Sequence, residues 1–253
     1  MAMRKRMAGL VCLVTGGGSG IGRATALQMA AEGAAAVVIA GRRAAQGEAV
    51  ARECREAGAE ALFVQTDVTR EEEVARLVEA TVARFGRLDV AFNNAGHQEC
   101  RAPLVEQTDA VFTAVFDGNV RSVFHCLRHQ LPAMEARGGR IVVNASVSGV
   151  RNPNPGFALY SASKAAVISL TRAAAMEWAP RGVRINAVAP GRVVTDMMMS
   201  AGVGDAATVG AGLPLRRMGR PEEVAEAVVW LASDESSYIV GHVLAADGGF
   251  LCS

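Results

Sequence analysis

Short apolar runs alternate along the chain with longer stretches in which apolar residues recur every three or four positions. The short runs, at 10–15, 35–40, 61–65, 88–93, 140–145 and 183–189, are rich in Val and Ile and closed by Gly, Asn, Asp or Pro. They lack a polar face, so they read as strands covered on both sides, the pattern of a parallel sheet. Helical periodicity occupies 20–32, 44–57, 70–85, 109–134 and 157–179. A seventh strand is expected near 242–246, after a helix at 221–232 that places Pro221 in its first turn. Such alternation predicts an α/β fold, a doubly wound seven-stranded parallel sheet flanked by helices with right-handed crossovers.

A length of 253 residues suits one domain spanning 1–253, and no repeat, linker or low-complexity tract divides it. The composition is 51% hydrophobic and 20% charged with a formal net charge of +1, which gives no reason to expect nucleic acid or an anionic membrane surface as partner. Arg4-Lys5-Arg6 resembles a signal-peptide start, but the apolar stretch 10–14 runs into glycines and is too short for a secretory core. No span approaches the roughly 18 uncharged residues of a membrane helix. The five cysteines are odd in number, widely spaced and free of any C-x-x-C, which fits a reducing cytoplasm. His125 and His129 stand at i,i+4 and could share a metal. With no acidic partner nearby they read as surface or packing histidines, and no metal is expected.

Ligands of such a sheet bind beyond the carboxyl ends of its strands, and the unusual residues cluster there. After the first strand comes Thr15-Gly16-Gly17-Gly18-Ser19-Gly20-Ile21-Gly22, leading into a helix. Glycines allow a sharp turn and close approach to a pyrophosphate, and the helix N-terminus faces its charge. Alone, this could equally be an ordinary tight turn. Asn93-Asn94-Ala95-Gly96 closes the fourth strand. Tyr160-Ser161-Ala162-Ser163-Lys164 opens the helix after the fifth, and at i,i+4 the phenol and the ammonium share a face. A nearby cation favours phenolate and suits the tyrosine to acid/base work, although this spacing by itself also describes a surface pair. Pro190-Gly191-Arg192-Val193-Val194-Thr195 follows the sixth strand.

In this order, T-G-x-x-x-G-x-G, N-N-A-G, Y-x-x-x-K and P-G-x-V-x-T resemble the short-chain dehydrogenases/reductases, among them beta-ketoacyl carrier-protein reductases and alcohol, sugar and steroid dehydrogenases. The likeness runs the length of the chain, through 217–224 to Asp247-Gly248-Gly249. It implies a Rossmann fold and NAD(P)-dependent hydride transfer between nicotinamide and a carbonyl or secondary alcohol. It implies that Gly16, Gly18, Ser19, Gly20, Ile21 and Gly22 cradle the pyrophosphate and that Asp67 and Val68 meet the adenine. Asn93, Ala95 and Gly96 would border the adenosine ribose, and Pro190, Gly191, Val193 and Thr195 the nicotinamide carboxamide. Asp67 could also cap the helix beginning near Arg70. Gly41 stands where NAD-preferring relatives carry Asp, and Arg42 and Arg43 follow, which favours the 2′-phosphate of NADP, with NAD the alternative. Both arginines could instead be a solvated helix start.

The resemblance also assigns catalysis to Asn119, Ser146, Tyr160 and Lys164. Tyr160 would exchange the proton, and Ser146 would hold the substrate oxygen. Lys164 would lower the tyrosine pKa and bind the nicotinamide ribose, and Asn119, in a helix distortion beside Gly118, would hold a linking water. Counting back from Tyr160 by the family spacing reaches Val147. One extra residue in the loop 151–156 restores Ser146, with Ser148 as fallback. The expected partner is a small carbonyl or alcohol under a lid at about 193–217, walled by His97-Gln98-Glu99, Phe157 and the Met197–199 run. Arg137 and Arg181 stand where carrier-protein reductases dock their carrier. A homotetramer paired through 109–134 and 157–179 is implied. The competing reading is a catalytically silent dinucleotide sensor or regulatory protein on the same fold.

Overall fold

Residues 11–15, Val-Cys-Leu-Val-Thr, are buried along their whole length as strand β1 (Val11–Thr15), and alternate side chains enter different cores. Cys12 and Val14 face one layer, and Leu13 faces the other. The neighbouring β2 (Ala36–Gly41) repeats this, with Val37 and Ile39 on the first side and Val38 and Ala40 on the second. A run of this kind has no polar face because neither face of the strand meets water. The computed structural model describes residues 5–151, 155–200 and 205–253. Its remaining strands are β3 (Glu60–Gln65), β4 (Val90–Asn93), β5 (Gly139–Asn144), β6 (Val183–Pro190) and β7 (Val243–Ala246). All pairings are parallel in the order β3-β2-β1-β4-β5-β6-β7, the seven-stranded sheet expected from the alternation. β3 and β7, at the edges, are only half-buried.

One face is covered by α1 (Gly20–Ala31), α2 (Ala44–Glu56) and α9 (Pro221–Ala232), whose Met29, Val50 and Val228 pack on the first layer. The other carries α3 (Glu71–Phe85), α5 (Ser122–Met134) and α6 (Ala158–Trp178), through Leu77, Leu127 and Val167. Each such side chain contributes about 1.5–3 kcal/mol when fully buried. The segment before β1 meets α9 on the first face. Met7 is fully buried there, and the Arg6 guanidinium donates to Glu32 at 2.5 Å and to Glu226 of α9 at 2.7 Å. Helix ends follow local chemistry. α3 opens on three glutamates and stops at Gly86, whose φ of 77° lets its N–H return to the Val82 carbonyl.

The stretch 109–134, expected as one helical region, is interrupted. α4 (Asp109–Phe116) passes into a π-helical segment, Asp117–Arg121, before α5 begins. Two short helices, α7 (Asp196–Ser200) and α8 (Ala206–Ala211), occupy the expected lid, where no periodicity had pointed to them. The expected lid and the loop insertion fall in part on 201–204 and 152–154, outside the described residues. None of the described helices is long and apolar enough to cross a membrane.

Candidate active site

The winding reverses between β1 and β4, and the loops leaving those two strands are knitted together. The Thr15 hydroxyl accepts from the Asn94 and Ala95 N–H groups at 3.0 and 3.1 Å. The Asn94 amide donates to the Thr15 and Gly16 carbonyls and accepts from Asn144 at 2.9 Å. Asn94 was absent from the expected site, yet it ties three strand ends together. Its neighbour Asn93, expected along the ribose, turns its side chain into the protein. It exchanges two hydrogen bonds with the buried Gln130 of α5, at 2.9 and 2.8 Å, which leaves only its backbone for a ligand.

The glycine loop then enters α1. Gly16 has φ 63°, and a Cβ on Gly22 would stand 2.3 Å from the Gly16 carbonyl, so the turn closes only without side chains there. Ser19 caps α1 without a side-chain bond, and the first turn holds no acidic residue, leaving its N–H groups to an anion. The exposed Arg43 reaches back from the end of β2 to donate to the Ser19 hydroxyl at 2.7 Å, with exposed Arg42 beside it. This donor set of backbone N–H groups, a hydroxyl and two guanidiniums fits a dinucleotide phosphate. Asp67 does not cap α3, whose N-cap is Arg70. Its carboxylate accepts instead from the Thr69 N–H and hydroxyl at 3.0 and 2.8 Å. Burial acts to raise its pKa, but those bonds and the Arg42 and Arg70 charges outweigh it and hold the carboxyl below its ordinary value. Val68 and Ala95 border the same small hollow between β1 and β4. At the other end, Gly191 donates to the Ala246 carbonyl at 3.1 Å, and Val193 forms a parallel bridge to Gly219. The Thr195 methyl leans towards Gly20, where a Cβ would stand 3.3 Å away.

Tyr160 stands in the first turn of α6, with Lys164 one turn on and Ser146 arriving from the end of β5. Of the two candidate serines it is Ser146 whose hydroxyl is placed to donate to the ionised phenol, and its own oxygen accepts from the Ser148 N–H at 3.1 Å. The Lys164 amine is buried, donates to the Asn144 carbonyl at 2.6 Å and lies 5.7 Å from the centre of the Tyr160 ring. Burial pushes that amine down to about 8. The lowered phenol pKa expected from the Tyr-Lys spacing is not what this arrangement produces. Burial, joined by the Glu99 charge, raises the phenol above its ordinary value, while Ser146 and Arg192 pull the other way.

Asn119 lies inside the π segment, fully buried. Its amide donates to the His97 carbonyl at 2.8 Å and the Ser163 hydroxyl at 2.9 Å, and its oxygen accepts from the His97 N–H at 2.8 Å. It therefore fastens the 95–97 loop to α6. Gly96 lets that loop lie close, since a Cβ would stand 2.9 Å from the Asn119 oxygen. Glu99, expected only as a wall, is buried, and one carboxylate oxygen accepts from the Tyr160 N–H at 3.0 Å. Its other oxygen and the Asn144 side-chain oxygen are buried without a partner among the described residues. These contacts join residues 61 and 20 positions apart, so nothing in local spacing marked them.

His125 and His129 turn to the Val68 carbonyl and Glu71 respectively, each at 3.3 Å. Arg181 pairs with Glu135 at 3.3 Å and stacks on Trp178. Arg137 and Arg181 precede β5 and β6, so the length of α6, about 30 Å, separates them from Tyr160. A cavity of about 310 Å³ lies beneath the lid, lined by Arg192, Leu213, Leu215, Arg217 and Asp247, and it stops short of Tyr160.

Residues 16–251 match the family described as enoyl-(acyl carrier protein) reductase. The chain is 44% identical over 250 residues to a cis-4-hydroxycyclohexanecarboxylate dehydrogenase of Sinomonas cyclohexanicum, covering 98% of this chain and 99% of that one. It is 43% identical to an A-factor type gamma-butyrolactone 1′-reductase of Streptomyces virginiae, with 95% of each covered. The crystal structure of levodione reductase superposes with a TM-score of 0.92 at 38% identity, covering 96% of this chain and 98% of that one. With glycine loop, Ser146, Tyr160 and Lys164 gathered at the strand ends, and with likeness of this extent, the chain belongs to the short-chain dehydrogenase/reductase family of oxidoreductases.

Proposed function

We propose that the chain is an NADP-dependent oxidoreductase that interconverts a small ketone and its secondary alcohol, with Tyr160 exchanging the proton. The observation that carries this reading is the Tyr160 phenol beside the Ser146 hydroxyl, with the buried Lys164 amine one helical turn behind. The nicotinamide, when bound, supplies the hydride for reduction or takes it up in oxidation. In reduction the carbonyl oxygen lies between Ser146 and Tyr160. Ser146 donates a hydrogen bond to that oxygen, and the phenol gives it a proton as the carbon receives hydride. Lys164 holds the ribose and stabilises the phenolate left behind. Asn119 keeps Ser163 and the 95–97 loop in place around that path. Oxidation is the reverse. Arg42 and Arg43, at a strand end without an acidic side chain, support NADP over NAD through charge attraction to a 2′-phosphate. The names of the relatives support a small-molecule substrate, and the five unpaired cysteines suit a reducing cytoplasm.

The test separates chemistry from binding. Tyr160→Phe is expected to cut turnover by about 10²–10⁴-fold while NADPH still quenches Trp178 and Trp230 as in the wild type. Unchanged turnover in that variant would remove the tyrosine from the mechanism. Tighter binding of NADH than of NADPH would overturn the reading of Arg42 and Arg43.

A further inference from the structure

The turn that follows β3, residues 66–70, is held from three directions. From β2, the Gly41 carbonyl accepts from the Thr66 N–H at 3.0 Å. From α3, the Glu73 carboxylate accepts from the Asp67 N–H at 2.7 Å. From α5, the His125 Nδ1 lies 3.3 Å from the Val68 carbonyl, whose sole partner it is among the described residues. A carbonyl only accepts, so the His125 ring carries a proton at Nδ1. Within the turn, the Thr69 N–H and hydroxyl both donate to Oδ1 of Asp67, and the Arg70 N–H donates to the Asp67 carbonyl at 3.0 Å. Two polar groups are left over. Among the described residues, neither Oδ2 of Asp67 nor the Val68 N–H has a partner. The peptide that carries this N–H is pinned on both sides, since Glu73 fixes the peptide before it and His125 the peptide after it. His125 is buried, and its neighbour Cys126 lines the same small hollow as Val68. A carboxylate oxygen followed by a backbone N–H is an acceptor beside a donor. It complements the amino group and ring nitrogen N1 of adenine.

We propose that His125 is a positioning residue for the adenine of the cofactor: by holding the Val68 carbonyl it keeps the Val68 N–H aligned with N1, so that a base with the opposite pattern is refused. Hypoxanthine is such a base, with a donor at N1 and an oxygen in place of the amine. The role of His125 rests on the reading of Asp67 and Val68 as the adenine contacts and names the residue that sets their discrimination. The i,i+4 pair His125 and His129 is thereby divided, His125 serving the cofactor turn and His129 meeting Glu71.

The test compares NADPH with its deamino analogue, nicotinamide hypoxanthine dinucleotide phosphate, each titrated against the fluorescence of Trp178 and Trp230. The wild type is expected to bind NADPH at least about tenfold more tightly, because the analogue sets donor against donor and oxygen against carboxylate. His125→Leu fills the site without a donor and should cut that preference by about 2- to 10-fold, the worth of a neutral hydrogen bond. His125→Asn places an amide N–H near the position of Nδ1 and should keep the preference. His125→Phe serves in place of the Leu variant should that fail to fold. An apolar variant that retains the full preference overturns the proposal. So does an Asn variant that loses as much as the Leu variant, because volume rather than the donor would then matter. Equal weakening of both cofactors, with their ratio unchanged, overturns it as well. A wild type that binds the two alike removes adenine from Asp67 and Val68, and the role of His125 with it. That failure is told apart from the others because it shows before any substitution.

Discussion

The Tyr160 phenol is under opposed influences: burial first and then the Glu99 carboxylate push its pKa up, while Ser146 and Arg192 pull it down. Alcohol oxidation needs the phenolate as base, so its rate climbs with pH through the phenol pKa. Glu99→Gln keeps an oxygen for the Tyr160 N–H but removes the charge. The climb in kcat for oxidation should then move to lower pH, and a profile that stays in place would disconnect Glu99 from the phenol. Lys164 carries a different cost. Its amine, brought down to about 8 by burial, is charged below that pH in a dry site. A lysine whose pKa is lower folded than unfolded costs stability below the folded value, and the cost fades as pH rises from about 8 towards the unfolded value. At pH 7 it is on the order of 3 kcal/mol, offset in part by the Asn144 carbonyl. Lys164→Met should therefore be more stable than the wild type in urea at pH 7, the gap closing towards pH 10, while turnover is lost. Less stability at pH 7 would defeat the argument. Tyr160 and Lys164 were legible because i,i+4 spacing is local. Glu99 and Asn144 were not, because their partners arrive from other elements.

At the scale of elements, the strands and long helices were legible because uninterrupted Val/Ile runs and a 3.6-residue period each have one physical cause, burial of both faces or of one. The π segment was expected only through the family resemblance, as a helix distortion at Asn119, because Asp117–Arg121 keeps helical composition and differs only in which carbonyl each N–H meets. Not legible were α7 and α8, whose five and six residues are too short for a period. Beyond the π segment, the paired amides of Asn93 and Gln130 tie α5 to β4 alongside its apolar packing. Gln130→Leu leaves the buried Asn93 amide without either partner, at a cost of about 1–3 kcal/mol. Adding Asn93→Leu should recover part of that loss, and a double-mutant cycle in urea measures it. Strictly additive losses would mean the two amides do not act as a pair.

At the scale of the whole molecule, exposed Phe112, Phe124 and Met176 on α4, α5 and α6 are large apolar side chains on the stretches 109–134 and 157–179, which the family resemblance implies pair between chains. We expect four chains per particle by light scattering and a smaller assembly for Phe124→Arg. A monomeric wild type would refute the expectation. The packing of α1 against α9 has a further consequence, for synthesis. Met29 and Ala30 of α1 share a core with Val224, Val228 and Leu231 of α9. α1 therefore leaves the ribosome about 200 residues ahead of the α9 residues that complete the cover of its apolar stripe. At about 5–20 residues per second that interval is roughly 10–40 s. For all of it, the nascent chain presents a half-covered sheet to whatever binds exposed apolar surface, so the yield of native protein depends on what occupies that face until α9 arrives.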